Sequence, residues 1–294
     1  MTCMTSGSWK EQGMRQSNWT EKKIAELQAQ GCGSGSGVSY KPWLEVTDFS
    51  SRGRSRRVFG LKTGRIHHLF SDVEFDIFLA AEWSRSVVDI REQYPLDRDL
   101  TQTVAQELKI QHPCYPGTRV PTVMTVDFLL TVVEHGVKRL VALNAKRDEE
   151  AEEENSLVKL EIQRTYFEKL EIEHHLIYHS QIPRQKVMNI AWIRDAQLKP
   201  GEVEPRPGYF AALCSRMSRE LMVPADVNIS LADYCQSFDE RHGLEPGTGL
   251  RVARMLIQEL SLAVNLESED LTRESLGSVM MTSRPGQLRA FGGA

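Results

Sequence analysis

The segment V-A-L-N-A-K, residues 141–146, is an apolar run that ends in two polar side chains capable of chemistry. Side chains two positions apart lie on the same face of a β-strand, so we expect Asn144 and Lys146 to point the same way. Asp127 lies in the preceding apolar run, M-T-V-D-F-L-L, and the E-H-G between the two runs is typical of a hairpin. Antiparallel pairing would then bring Asp127 alongside Asn144 and Lys146.

A carboxylate, an amide oxygen and an ammonium group in one place are what a phosphodiester-cleaving site needs. Oxygen ligands suit Mg²⁺, which neutralises charge on the scissile phosphate and activates water. A nearby lysine can orient the nucleophile or stabilise the transition state. Glu74, on a neighbouring helix, would complete the set. The pattern alone is weak, because a lysine at a strand end is usually solvated.

A basic segment, residues 52–65, is the second candidate for function. It contains Arg52, Arg54, Arg56, Arg57, Lys62 and Arg65 with no acidic residue between them. Arginines bind phosphate oxygens and release counterions, which predicts DNA contact, but a solvated or disordered loop explains the same composition equally well. His67 and His68 could contact phosphate or a metal, although such pairs are more often ordinary surface. We expect His174 and His175 to flank a strand without a chemical role.

The elements that must position these residues alternate between strands and helices. Ser71 and Glu74 fit a capping box at the start of an amphipathic helix. A strand in S-V-V-D-I-R-E-Q-Y-P-L, a short helix and the two hairpin strands follow. The acidic block D-E-E-A-E-E-E, residues 148–154, precedes a long helix, and H-H-L-I-Y-H-S reads as a last strand. This order predicts a three-layer α/β domain.

The domain organisation follows from glycine and proline. G-C-G-S-G-S-G is typical of a flexible connector, so we expect residues 1–37 to be a flexible N-terminal extension. The α/β domain would span residues 38–200. The segment K-P-G-E-V-E-P-R-P-G predicts a boundary, after which residues 205–294 read as a smaller helical domain that resembles helix-turn-helix proteins.

The composition is that of an ordinary globular protein of one or two domains. The 294 residues are 40% hydrophobic and 26% charged, with a formal net charge of −4, which argues against a uniformly basic nucleic-acid coat. With no apolar run of membrane length and no secretory signal, we expect a cytoplasmic protein. The five cysteines include no C-x-x-C pair, so neither a disulfide framework nor a zinc ribbon is indicated.

Several segments occur together in a family-specific order over about residues 38–180. They are Y-K-P-W-L-E-V, S-S-R-G-R-S-R-R-V-F-G-L-K-T-G-R-I-H-H-L-F-S-D-V-E, E-W-S-R-S-V-V-D-I-R-E-Q-Y-P-L, V-M-T-V-D-F-L-L and L-N-A-K. In this order the sequence resembles TnsA, the endonuclease subunit of heteromeric cut-and-paste DNA transposons. Over residues 205–294 the resemblance is fainter and rests on L-E-P-G-T-G-L-R.

The resemblance implies a fold similar to restriction endonucleases, with a PD-(D/E)xK three-layer core and a winged-helix-like C-terminal domain. The implied activity is Mg²⁺-dependent hydrolysis that nicks the 5′ strand at each transposon end in double-stranded DNA. A TnsB transposase would cut and join the 3′ strand, and a TnsC AAA+ ATPase would link the pair to target selection. The implied location is the bacterial cytoplasm, with nucleoid association during transposition.

Carried over by position, the resemblance assigns catalysis to Glu74, Asp127, Asn144 and Lys146, of which the first three would hold the metal. The departure is Asn144, where the family pattern has Gln and nucleases of this fold usually have an acid. An amide oxygen can still bind Mg²⁺ but brings no charge. The Ala145 carbonyl would be a further ligand. Two alternatives stay open: a non-catalytic architectural subunit that binds DNA and bridges transposase and ATPase, and a stand-alone nuclease of the same fold.

Overall fold

The structure is a computed structural model that describes residues 19–48, 54–147, 154–222 and 226–281. The chain divides into two compact units. The first runs to Ile182, and the second begins at Pro183 and also takes in Trp83–Arg85. In the described part of the chain, no helix is both long and apolar enough to cross a membrane.

A four-stranded mixed sheet forms the centre of the first unit, in the order β3-β4-β5-β6. Its strands are β3 (Val87–Pro95), β4 (Thr125–Glu134), β5 (Val137–Lys146) and β6 (Glu173–Tyr178). The first three are antiparallel, whereas β6 lies parallel to β5. The predicted hairpin is confirmed: β4 and β5 are joined by His135 and Gly136, both with positive φ (51° and 81°), as a tight hairpin turn requires.

The helices of the first unit are α1 (Glu21–Ala29), α2 (Asp72–Trp83), α3 (Arg98–Glu107) and α4 (Glu154–Lys169). Helices α3 and α4 cover one face of the sheet, where Val104 and Phe167 belong to the same buried cluster as Leu129 and Ala142. Together with the sheet they make the mixed α/β architecture that the sequence predicts. The acidic block leads into α4 as expected, but residues 148–153 lie outside the described part of the chain.

The predicted flexible extension has a packed portion. Residues 1–18 lie outside the described residues, but Trp19 and Ile24 belong to a buried cluster with Trp43, Tyr115 and Val123. The rings of Trp19 and Tyr115 stack with centroids 4.1 Å apart. The two tryptophans, among the largest apolar side chains, therefore attach α1 to the first unit, and the described part of residues 1–37 is not a free linker.

A short hairpin precedes α2, in the region that also contains the basic segment. Strands β1 (Arg56–Phe59) and β2 (Ile66–Leu69) pair antiparallel. The alternative of a disordered loop does not hold for the described residues from Arg54 onward. Arg52 lies outside the described residues.

The second unit is mainly helical. It contains α5 (Arg184–Arg194), α6 (Tyr209–Leu221), α7 (Leu231–His242) and α8 (Thr248–Gln258), with a small antiparallel pair of strands, β7 (Leu262–Ala263) and β8 (Met280–Met281). The boundary lies at residue 183 and not near 200, because Ile193 in α5 and Ala196 just after it are buried with Met217, Phe238 and Leu256 in one core. The proline-rich segment is thus a loop within the second unit.

Candidate active site

Strand register brings Asp127 and Asn144 together. Phe128 pairs with Leu143, so the residues before and after them, Asp127 and Asn144, face each other across β4 and β5. The Asp127 N–H donates to Asn144 Oδ1 at 3.4 Å, and the Ala145 N–H donates to Asp127 Oδ2 at 2.7 Å. The expected neighbourhood of these two side chains is therefore present.

Glu74 reaches this place from the first turn of α2. Ser71 Oγ accepts from the Glu74 N–H at 3.1 Å, which is the N-cap hydrogen bond that the S-D-V-E pattern predicts. The Glu74 carboxylate accepts from the Phe70 N–H at 2.9 Å and from the Ser71 hydroxyl at 3.1 Å. The side chain is only 6% exposed, so the cap fixes a carboxylate that faces the interior.

The pKa values of the two carboxyl groups are both raised. Burial and then the charge of Asp127 raise the pKa of Glu74 to about 8. Burial also raises the pKa of Asp127, against the lowering effects of the Ala145 N–H and the charge of Lys146. Two acids in one low-dielectric place cannot both ionise cheaply, and a cation bound between them would relieve the repulsion.

Gln93 connects the two acids, although no sequence pattern singles it out. Its side-chain amide lowers the pKa of both Glu74 and Asp127, while its Oε1 accepts from Thr125 Oγ1 at 3.2 Å. Its φ of 46° is a left-handed value that residues other than glycine rarely adopt in a strand. Such strain is concentrated at functional sites, but it cannot be read from sequence.

Asn144 is buried, at 4% exposure, and each polar atom of its amide has a partner. Nδ2 donates to Gln163 Oε1 at 2.8 Å and to His174 Nε2 at 2.9 Å. His174, on β6, is therefore part of the site's surroundings and not only a flanking residue; burial lowers its pKa to about 4, so the imidazole is neutral near pH 7. Gln163 and His174 are distant in sequence, and no spacing pattern indicates them.

Lys146 is the last residue of β5, two positions beyond Asn144 and half-buried. Its charge lowers the pKa of Asp127, and it also lowers that of Lys159 on α4, after the larger effect of burial. An ammonium group close enough to affect Asp127 has the charge needed to hold an attacking water or to stabilise a phosphorane-like transition state.

The site offers oxygen donors from two acids and one amide, and the sequence adds the Ala145 carbonyl as an expected further ligand. The described residues contain no group of three or more His, Cys, Asp or Glu side chains arranged for a metal ion. A site built on Glu74 and Asp127 would therefore complete its coordination with amide, carbonyl, water or phosphate oxygens. Such oxygen-only donors fit Mg²⁺, which keeps several waters or phosphates when bound by one or two carboxylates.

The basic segment divides into an exposed part and a part that is engaged within the fold. Arg57 is exposed, and Arg54 is also exposed, with its guanidinium 3.8 Å from Asp72. Arg56 donates to Asp72 at 2.6 Å and lies over the Phe75 ring. Lys62 donates to the Val87 carbonyl at 2.6 Å.

Arg65, His67 and His68 belong to the interior. Arg65 makes a two-pronged ion pair with Glu92, at 2.8 and 2.6 Å, and His67 Nδ1 lies 2.8 Å from the same carboxylate. His68 Nδ1 accepts from the Val46 N–H at 3.1 Å. Each of the three makes contacts inside the fold and none is more than 9% exposed, which argues against the phosphate contacts that the sequence suggested.

Comparisons with known proteins cover most of the chain. Residues 84–179 match a family model described as TnsA-like endonuclease N terminal, and residues 181–266 match one described as TnsA endonuclease C terminal. The junction between the matches agrees with the unit boundary at residue 183. The chain is 35% identical over 240 residues to the Transposon Tn7 transposition protein TnsA of Escherichia coli, covering 82% of this chain and 84% of that protein.

Proposed function

The chain belongs to the TnsA family of transposition endonucleases, and we propose that it is a Mg²⁺-dependent DNA endonuclease that nicks the 5′ strands at transposon ends. The observation that carries the proposal is the pair of Glu74, which is buried, and Asp127, which is partly buried; their pKa values are both raised, and Lys146 lies beside them. Acids held close together against their mutual repulsion are typical of cation sites, and they destabilise a fold without one.

In this proposal Glu74, Asp127 and the amide oxygen of Asn144 hold the cation, with the Ala145 carbonyl as a further ligand. Bound Mg²⁺ would supply positive charge to the scissile phosphate and to the attacking water. Lys146 orients that water and stabilises the negative charge that develops on the phosphate. The Ala145 N–H keeps the Asp127 carboxylate aimed into the site through its 2.7 Å hydrogen bond.

The proposed fold is a PD-(D/E)xK core of the restriction-endonuclease type in the first unit. It is supported by the mixed sheet, in which the antiparallel β3-β4-β5 is extended by the parallel β6, and by the acids on α2 and β4. For the second unit we propose a winged-helix-like domain, supported by α5–α8 followed by the small β7-β8 pair.

DNA contact is assigned to Arg54, Arg56 and Arg57, which remain at the surface or half-buried on β1 and before it. The proposed partners are double-stranded DNA at the transposon ends, a TnsB-like transposase and a TnsC-like AAA+ ATPase. They are supported by the name of the Escherichia coli relative as a transposition protein. In this scheme the transposase selects the end sequence, and this chain supplies the second strand cut.

The second candidate function is a non-catalytic architectural subunit. One observation favours it: Asn144 brings no charge, and its amide is engaged by Gln163, His174 and the Asp127 backbone. Under this alternative the acid pair would be a relic, and only DNA and protein contacts would matter.

Strand-specific cleavage separates the two functions. End-labelled transposon-end DNA is incubated with the chain, transposase, ATPase and Mg²⁺, and the 5′-strand nick is quantified for wild type, Asp127→Ala and the control Asp99→Ala, an exposed aspartate on α3. The proposal expects loss of nicking in Asp127→Ala alone, with product shifting from excised donor to fused cointegrate while the complex still assembles. Equal nicking by wild type and Asp127→Ala would contradict it and favour the architectural role.

A further inference from the structure

A chain of hydrogen bonds leaves β4 at one residue and returns to it two residues later. Gln163 Nε2 donates to the Thr125 carbonyl at 2.7 Å, and Asn144 Nδ2 donates to Gln163 Oε1 at 2.8 Å. The loop closes where the Asp127 N–H donates to Asn144 Oδ1 at 3.4 Å. The path thus runs from β4 through α4 and β5 and back to β4.

Both ends of this chain are backbone groups, and this fixes its direction. A carbonyl can only accept, so Gln163 must present Nε2 to Thr125 and Oε1 to Asn144. An N–H can only donate, so Asn144 must present Oδ1 to Asp127 and Nδ2 to Gln163. Amide orientation is usually ambiguous between oxygen and nitrogen, but here neither side chain can turn over without breaking hydrogen bonds.

His174 supplies the second acceptor that the Asn144 amide needs. Its Nε2 lies 2.9 Å from Nδ2, so the two N–H bonds of the amide go to Gln163 and His174. The His174 ring is held against Phe167, with centroids 5.0 Å apart, and β6 is paired in parallel register with β5. The acceptor is therefore rigidly placed by packing and by the sheet.

We propose that His174 and Gln163 are positioning residues that hold the Asn144 amide with its oxygen towards Asp127. The inference rests on the proposed function, because it is there that the Asn144 oxygen binds the cation. The long 3.4 Å contact with the Asp127 N–H leaves this oxygen a lone pair for a ligand. A side-chain amide binds a cation through its oxygen and not through its NH₂ group. The orientation of the Asn144 amide therefore determines whether position 144 attracts or repels the cation.

A carboxylate at position 144 would need no such orientation, because it presents an oxygen on either side. This difference provides a direct test by double substitution. In the wild-type background, His174→Phe keeps an aromatic ring against Phe167 but removes the acceptor for Nδ2. In the N144D background the same substitution should no longer matter for metal binding.

The measurement is Mg²⁺ affinity of the full chain by titration calorimetry without DNA, for wild type, H174F, N144D and N144D/H174F. His175→Phe, on the same strand but exposed and paired with Glu173, is the matched control. Removing a group that orients a metal ligand typically weakens binding roughly 10–100-fold, so we expect about tenfold or more for H174F, no change for H175F, and less than about threefold between N144D and N144D/H174F.

The outcomes separate the inference from the proposed function. If D127A abolishes Mg²⁺ binding but H174F binds as wild type does, the inference fails and the proposed function stands. An equal loss in both backgrounds would mean that His174 acts through packing, which also overturns it. Failure of wild type to bind Mg²⁺ would overturn both. If circular dichroism shows that H174F is unfolded, Gln163→Met, which removes the other acceptor, carries the same four-way comparison.

Discussion

Glu92 and Glu74 are both buried carboxyl groups of the first unit, at 0% and 6% exposure, yet their pKa values move in opposite directions. Burial opposes ionisation of Glu92, but hydrogen bonds and charges of Arg65 and His67 outweigh it and lower its pKa to about 2. The groups that donate to Glu74 are neutral, so burial and then the negative charge of Asp127 raise its pKa.

Burial alone therefore does not distinguish a structural acid from a functional one. Glu92 is neutralised by Arg65 of its own chain, and its contacts with Arg65 and His67 hold the β1-β2 hairpin to β3. Ionising both Glu74 and Asp127 is unfavourable, and an ion from solution can supply the positive charge that stabilises the two carboxylates. A carboxyl pKa that is raised beside a like-charged neighbour is the feature that indicates a functional site.

The largest effect should come from Asp127→Ala. Metal-ion charge stabilisation is worth several kcal/mol, so nicking should fall by roughly a thousandfold or more, at about 1.4 kcal/mol per factor of ten. The Tm in EDTA should stay the same or rise, since the repulsion on Glu74 is removed. Differential scanning calorimetry and the nicking assay together check this, and a lower Tm with unchanged nicking would make Asp127 a structural acid like Glu92.

The converse is expected of Glu92→Gln. It leaves the Arg65 charge buried without its partner, which costs about 3–5 kcal/mol in the free energy of unfolding. Urea unfolding measures the loss. In protein that remains folded at low temperature, Mg²⁺ affinity should change little, because Glu92 contacts the hairpin and not Asp127. A stable Glu92→Gln variant that no longer binds Mg²⁺ would reverse the roles assigned to the two acids.

The pH dependence of stability should separate the same two sites in metal-free protein. Because the pKa of Glu74 is raised on folding, the stability linked to it is present at acid pH and is lost as pH rises towards 8. The stability linked to Glu92 has the opposite sign: it is present above the usual glutamate pKa and is lost as pH falls towards 2.

Asp127→Asn tests the loss of stability that is expected of metal-free protein as pH rises towards 8. It removes the like charge, so the loss of stability between pH 5 and pH 8.5 in EDTA should shrink, on the order of 1–2 kcal/mol, given about 1.4 kcal/mol per pKa unit. Saturating Mg²⁺ should flatten the wild-type curve in the same way. Urea unfolding at the two pH values provides the measurement, and parallel curves for wild type and variant would argue against coupling of the two acids.

The smallest effect concerns the exposed arginines. They lie at the surface, whereas Arg65 is buried in an ion pair with Glu92. Arg54→Glu combined with Arg57→Glu should weaken DNA binding and lower the slope of log K against log salt by roughly 0.9 for each phosphate that is no longer neutralised, about two in all. The control reverses two exposed lysines, Lys22→Glu with Lys138→Glu. Fluorescence anisotropy at several salt concentrations measures the slope, and an equal change in the control would show a general charge effect.

Local sequence patterns predicted the elements that depend on local physics. Alternation and the E-H-G turn indicated the β4-β5 hairpin, and S-D-V-E indicated the start of α2 and thereby the place of Glu74. The resemblance then selected Asp127, Asn144 and Lys146 as a set. The proximity of Asp127 and Asn144 could be predicted because strand register on either side of a short turn is nearly fixed once the turn is known.

Long-range pairing accounts for what the sequence did not reveal. Arg65 and His67 lie in or just after an arginine-rich run that reads as solvated, since nothing local indicates that Glu92 will pair with them in the interior. Gln163 and His174 reach Asn144 only after α4 and β6 have folded against β5. The unit boundary was placed near residue 200 because prolines mark loops, and a loop inside a helical unit carries the same signal as a linker.

Gln93 lies directly after Glu92 on β3, so this strand contributes both to the Arg65 ion pair and to the surroundings of Glu74 and Asp127. Its left-handed backbone, with φ of 46°, costs of order 1 kcal/mol or more in a residue other than glycine. A stability screen would therefore favour glycine at this position, with loss of the amide that lowers the pKa of both Glu74 and Asp127. Under laboratory selection for thermal tolerance alone, we expect glycine to replace Gln93. Retention of glutamine under selection that also requires DNA cleavage would indicate that the Glu74 and Asp127 pair still functions.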